Sequence, residues 1–147
     1  MTLLPGIFAY FHAMLALIRN LSSRLIIPVL WTLLIIILLS VPGSAIPKVS
    51  IGLQHVDKLV HFILFGIFPV LWSYYFIQKK GKSNWKQMII LFCIISIILG
   101  ISLEYVQHYF VVNRDFDVID IIADTLGAIV FGILLVLFER RYLSAEK

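Results

Sequence analysis

Within the stretch ISLEYVQHYFVVNRDFDVIDIIADTLGAIVFG, residues 101 to 132, Glu104, Gln107, His108, Arg114, Asp120 and Asp124 stand among strongly apolar neighbours. Asp57, Lys58 and His61 form a second polar group upstream, in HVDKLVHFILFG. Carboxylates, imidazoles and a guanidinium can bind a polar head group, ligate a divalent metal or relay protons. Spacing groups them by face. Asp57 and His61, four apart, share one side of a helix, as do Glu104, Gln107 and His108. Asp117, Asp120 and Asp124 fall within about 60 degrees of helix circumference. A helix starting near Asp117 carries Asp124 roughly 10 Å further along its axis, which is deep enough to need a partner.

The elements that must position these groups follow from composition. Of 147 residues, 61% are hydrophobic and 14% charged, and the mean hydropathy is +1.02. A soluble domain of this size is about half apolar and a quarter charged. The sequence therefore predicts an all-α polytopic membrane protein. Four spans are expected, at about 25–41, 59–77, 87–105 and 118–138, forming a four-helix transmembrane bundle within a single domain, 1–147. An N-terminal segment from Leu4 to Asn20 reads as an additional amphipathic, interfacial helix: Leu4, Ile7, Phe8, Phe11, Leu15 and Ile18 share one side, and His12 lies on the small-residue side.

Basic residues fix the expected orientation. Lys79, Lys80, Lys82 and Lys86 follow the second span, and Arg140, Arg141 and Lys147 follow the fourth. With Arg19 and Arg24 they place nine basic and two acidic residues on one side, against three basic and six acidic on the other. The positive-inside rule makes the first side cytoplasmic, with both termini there. The polar start of the second span, the polar end of the third and the polar start of the fourth then meet at the outer level. The basic pI, about 9.3, reflects this topology and gives no support to nucleic-acid binding.

Several residues have plainer readings. Asp117 suits a helix N-cap, and acids in a first turn favour the helix dipole. Asp115 reads as a surface residue, and Lys48 and His55 as loop residues. Cys93, the single cysteine, reads as a small buried residue, which excludes an internal disulfide. Ser102 reads as a helix serine bonded to its own backbone rather than as a nucleophile. Ala123 with Gly127 and Ala128 with Gly132 are small-xxx-small pairs that admit a close neighbouring helix. Walker and dinucleotide fingerprints are absent.

Taken together, the motifs resemble the VanZ-like family of small bacterial membrane proteins. That family has Asp-Lys-x-x-His opening the second span, Glu-x-x-Gln ending the third, then Arg and Asp-x-x-x-Asn-x-x-Gly opening the fourth. The matching residues are Asp57, Lys58 and His61; Glu104 and Gln107; Arg114; and Asp120 with Gly127. The family's asparagine is replaced by Asp124. The resemblance implies a multi-pass protein of the bacterial cytoplasmic membrane. Its namesake is associated with resistance to teicoplanin, a lipid-tailed glycopeptide that acts outside that membrane.

The leading functional expectation is a pocket on the outer side formed by Asp57, Lys58, His61, Glu104, Gln107, His108, Arg114, Asp120 and Asp124. Its partners would be membrane lipids and an amphiphilic cell-envelope ligand, either a lipid-linked precursor or a lipoglycopeptide. A metal-dependent hydrolase of a lipid-linked substrate is the alternative, with a divalent metal on His61, Glu104, His108 and Asp120. A proton- or ion-coupled transporter is the third reading. No other cofactor is expected.

Overall fold

Apolar runs longer than a soluble helix needs become long helices, and punctuation residues set their ends. The computed structural model describes residues 24–42 and 56–145. Its helices are α1 (Ile26–Leu39), α2 (Val56–Lys80), α3 (Trp85–Phe110) and α4 (Val118–Ala145), with a short 3-10 helix at Lys82–Asn84. There is no strand among the described residues. The expected interfacial helix, with His12 and Arg19, lies outside them, as do Lys48 and His55.

Three helices, Val56–Lys80, Trp85–Phe110 and Val118–Phe138, are long and apolar enough to cross a membrane. The first expected span is shorter than its sequence suggested. α1 has 14 residues, roughly 21 Å at 1.5 Å per residue, against about 30 Å of hydrocarbon. Pro42 stands just beyond its end, and the residue before a proline is pushed away from helical geometry. The Ser40 N–H closes the helix on the carbonyls of Ile36 and Ile37. In contrast, α2 and α3 run past the expected limits because their charged ends remain helical.

α2 lies at the centre and packs on α4, α3 and α1. One core cluster joins Ile35 and Leu39 of α1, Leu64, Phe65 and Phe68 of α2, and Leu103 of α3. A second, at the opposite end, joins Ile77, Trp85, Ile89 and Leu135. Ile90, Ile98 and Leu134 are exposed, as side chains facing lipid should be. α2 and α4 are brought together by absent side chains. A Cβ on Gly127 would collide with the Phe62 carbonyl, and one on Gly66 would come within 2.6 Å of the Phe131 ring. On the other side of α4, a Cβ on Gly132 would meet Cys93 Sγ of α3.

Proline and tryptophan explain further cross-links. Pro69, inside α2, has no N–H to give to the carbonyl four residues earlier. That carbonyl belongs to Phe65, and it accepts from Ser96 Oγ of α3 at 2.9 Å. Such re-satisfaction is what makes a proline tolerable in a membrane helix. Trp31 Nε1 donates to the Leu64 carbonyl at 3.0 Å, and Trp72 Nε1 donates to Thr32 Oγ1 at 3.0 Å. These two indoles fasten α1 to α2.

Candidate functional site

The ends of α2, α3 and α4 that carry acids come together. Asp57 lies in the first turn of α2 and Asp120 in the first turn of α4, where the positive ends of the helix dipoles favour negative charge. The reversal between α3 and α4 passes through Asn113 at φ 59°, a left-handed conformation that asparagine tolerates better than most residues. Asp117 then caps α4: its Oδ1 accepts the Ile119 N–H at 2.8 Å. From the side, Glu104 of α3 accepts the Asp117 N–H on Oε1 at 2.6 Å. The start of α4 is thus held by a carboxylate of its own and one from a neighbour.

Lys58 is the hub of the outer layer. Its Nζ donates to Asp117 Oδ2 at 2.5 Å and lies 2.6 Å from Asp120 Oδ1 and 3.8 Å from Asp57 Oδ2. The Asp120 contact is an ion pair without hydrogen-bond alignment, because Asp120 Oδ1 is buried with no hydrogen-bond partner among the described residues. Arg114 approaches Asp57 at 3.9 Å, and its buried Nε has no partner among the described residues. The Lys58 ammonium holds the Asp117 carboxyl below the usual carboxylate range.

Deeper lies a second pair. His61 Nδ1 and Asp124 Oδ1 are 3.0 Å apart, with side chains 1% and 2% exposed. A carboxylate can only accept, so the hydrogen of this bond sits on Nδ1 when Asp124 is ionised. His61 Nε2 has no partner among the described residues. Gly100 leaves the room for Asp124, since a Cβ there would come within 2.6 Å of Oδ2. Glu104, 1% exposed, completes the buried floor.

Of the residues expected from sequence, Asp57, Lys58, His61, Glu104, Arg114, Asp120 and Asp124 share this end of the bundle. Two stand differently. Gln107 is buried but turned toward α1, where Nε2 donates to the Leu39 carbonyl at 2.8 Å. It serves as a tie between helices. His108 is exposed and packs on the rings of Tyr109 and Phe116, away from the buried pair.

One participant goes beyond its sequence reading and another is missing from it. Asp117, on the stripe of Asp120 and Asp124 and suited to a cap, is also the closest partner of Lys58. Gly100 is the participant that sequence leaves out, and its position four residues before Glu104, on the same helix face, is the signal that marks it as space for a group from the next helix.

The fold and site define an all-helical membrane protein with a two-layer charged cluster at one end of three long helices. The chain belongs to the VanZ/LLP1 family, whose sequence profile matches residues 9–139. It is similar to an uncharacterised protein, C11E3.10, of Schizosaccharomyces pombe, with 31% identity over 88 residues, which is 60% of this chain and 51% of that relative. The chain therefore spans about half the length of this curated relative. No solved structure matches it.

Proposed function

We propose that the protein binds an amphiphilic, lipid-tailed ligand whose polar head sits on the charged end of the bundle. The grading of that end is the observation that carries this reading. Its outer layer is accessible, with side-chain exposures of 46% for Asp57 and 37% for Asp117, over a floor of buried His61, Glu104, Asp120 and Asp124. Beside it, Tyr105, Tyr109, Phe110 and Phe116 are exposed, as aromatic residues at a membrane interface are. A ligand with a polar head and an apolar body meets both surfaces. Carboxylates would accept from sugar or peptide donors, while Lys58 and Arg114 would meet an anionic group.

Orientation supports a ligand from outside the cell. Lys79, Lys80 and Lys86 lie at the opposite end of the bundle, and the positive-inside rule assigns that end to the cytoplasm. The charged cluster then opens at the outer face of a bacterial cytoplasmic membrane. If the ligand is a lipoglycopeptide, its retention there would contribute to teicoplanin resistance. Because a Schizosaccharomyces pombe protein shares 88 residues of similar sequence, a lipid-linked head group is the broader and preferred class. Transport is less favoured. Beyond Asp124, the buried Ser96 and Ser73 are each engaged by a backbone carbonyl, which gives no relay of ionisable groups to the other end among the described residues.

Native mass spectrometry of detergent-purified protein tests the proposal. Wild type should carry a lipid-sized adduct, lost in Arg114→Ala and kept in Lys80→Ala. An adduct retained by Arg114→Ala with unchanged helix content would overturn it.

A further inference from the structure

Asp57 and His61 stand one turn apart on α2, and Asp120 faces them from α4. Each offers a ligand atom, and the three atoms lie within 4.8 Å of one another. His61 is 1% exposed, yet Nε2 has no hydrogen-bond partner among the described residues. Leaving a buried ring nitrogen unpaired is costly. Its other nitrogen is held by Asp124 at 3.0 Å, the arrangement in which an outer carboxylate fixes a histidine's tautomer and orientation so that the free nitrogen can ligate a metal. Charge points the same way: Asp57, Asp117 and Asp120 surround Lys58, with Arg114 beside Asp57, and Glu104 and Asp124 add two more carboxylates to this end of the bundle.

We propose that Asp57, His61 and Asp120 form a site for a divalent first-row metal ion, Zn²⁺ or Mn²⁺, with Asp124 as the positioning residue for His61. One imidazole nitrogen and two carboxylates are donors that both ions accept, and three protein ligands leave coordination positions open. Lys58 is a tethered competitor for the same oxygens. Its Nζ lies 2.6 Å from Asp120 Oδ1 and 3.8 Å from Asp57 Oδ2. An arriving ion displaces the ammonium from these two, and Asp117, already its partner at 2.5 Å, retains it. The site therefore binds more weakly than its ligands alone would, and removing the lysine strengthens it. This inference does not depend on the amphiphile.

Equilibrium dialysis of the detergent-purified full chain against Zn²⁺ or Mn²⁺, read by elemental analysis, provides the test, with helix content followed by circular dichroism. One ion per chain is expected. His61→Gln and Asp120→Asn should each weaken binding at least tenfold, and Asp124→Asn by about 10- to 100-fold through the loss of positioning. Lys58→Met should bind more tightly than wild type, and His108→Ala should bind as wild type does. Uptake by Lys58→Met alone, lost again on adding Asp120→Asn, would equally support the competitor role. Absence of stoichiometric metal from both wild type and Lys58→Met would overturn the site. So would uptake indifferent to His61 and Asp120.

Discussion

The two ends of the bundle handle charge in opposite ways. At one end Lys58 is surrounded by three aspartates, and a buried histidine is bonded to a buried carboxylate. At the other, Lys79, Lys80 and Lys86 are exposed and lie 5.7, 5.3 and 5.5 Å from the ring centroids of Tyr75, Phe76 and Trp85. The first arrangement needs three helices at once. The second is built from side chains near one another along the chain, with apolar stems and wet heads, as expected of snorkelling lysines. The comparison teaches that a charge near a membrane surface can be solvated locally, whereas a charge held deeper requires tertiary structure. Among the described residues, it is the acidic end that has that structure.

If this contrast is right, changes that separate the helices should harm the acidic end most. Gly127→Val places side-chain atoms against the Phe62 carbonyl, and overpacking of this kind costs typically about 1–3 kcal/mol, more where backbone cannot yield. The expected result is the largest loss in the series, read as the midpoint of denaturation by sodium dodecyl sulfate in mixed micelles. A midpoint equal to wild type would show that α2 and α4 do not need this close approach.

A somewhat smaller loss, about 1–3 kcal/mol, is expected for Asp124→Ala, because His61 is left buried with neither ring nitrogen bonded. The same denaturation measurement reads it. For Asp117 the effect is one of pH. Its folded-state carboxyl titrates below the usual carboxylate range because Lys58 donates to it. Stability from this contact is present above that usual range and is lost as pH falls through the folded-state range. Unfolding midpoints measured from pH 6 downward should therefore drop on the acid side of about pH 4, and Asp117→Asn should remove part of that drop. A drop identical in Asp117→Asn would detach this carboxylate from it. Smallest of all, Lys80→Ala at the basic end should change the midpoint by less than about 1 kcal/mol, the scale of an exposed cation–π contact. A larger loss there would erase the distinction between the ends.

How much of this was legible in sequence depended on whether a feature was local. The long apolar runs gave α2, α3 and α4, and steps of three and four gave the shared faces of Asp57 with His61 and of Asp120 with Asp124. Periodicity supplies an angle around a helix but not the neighbour at that angle. Gln107 and His108 flank the face of Glu104, yet α1 lies beside Gln107, while His108 meets aromatic rings at the exposed surface. Similarly, the capping role of Asp117 followed from its place before α4, whereas its bond to Lys58 joins residues 59 apart in the chain. α1 ends at Leu39 although apolar composition continues through Val41, so hydropathy and helical backbone part there. Its attachment through Trp31 and Trp72 could not be read from hydropathy, which scores an indole without its N–H.

The central claim is that the acidic end is one interlocked unit whose groups are tolerable only together. A double-mutant cycle on His61→Phe and Asp124→Leu, read by the same denaturation midpoints, tests it most directly. The account predicts that each single change strands its partner, while the double change, which removes both polar groups, is less damaging than the two singles combined. The coupling should be at least about 1 kcal/mol, within the range seen for residues in direct contact. Losses that simply add would contradict it.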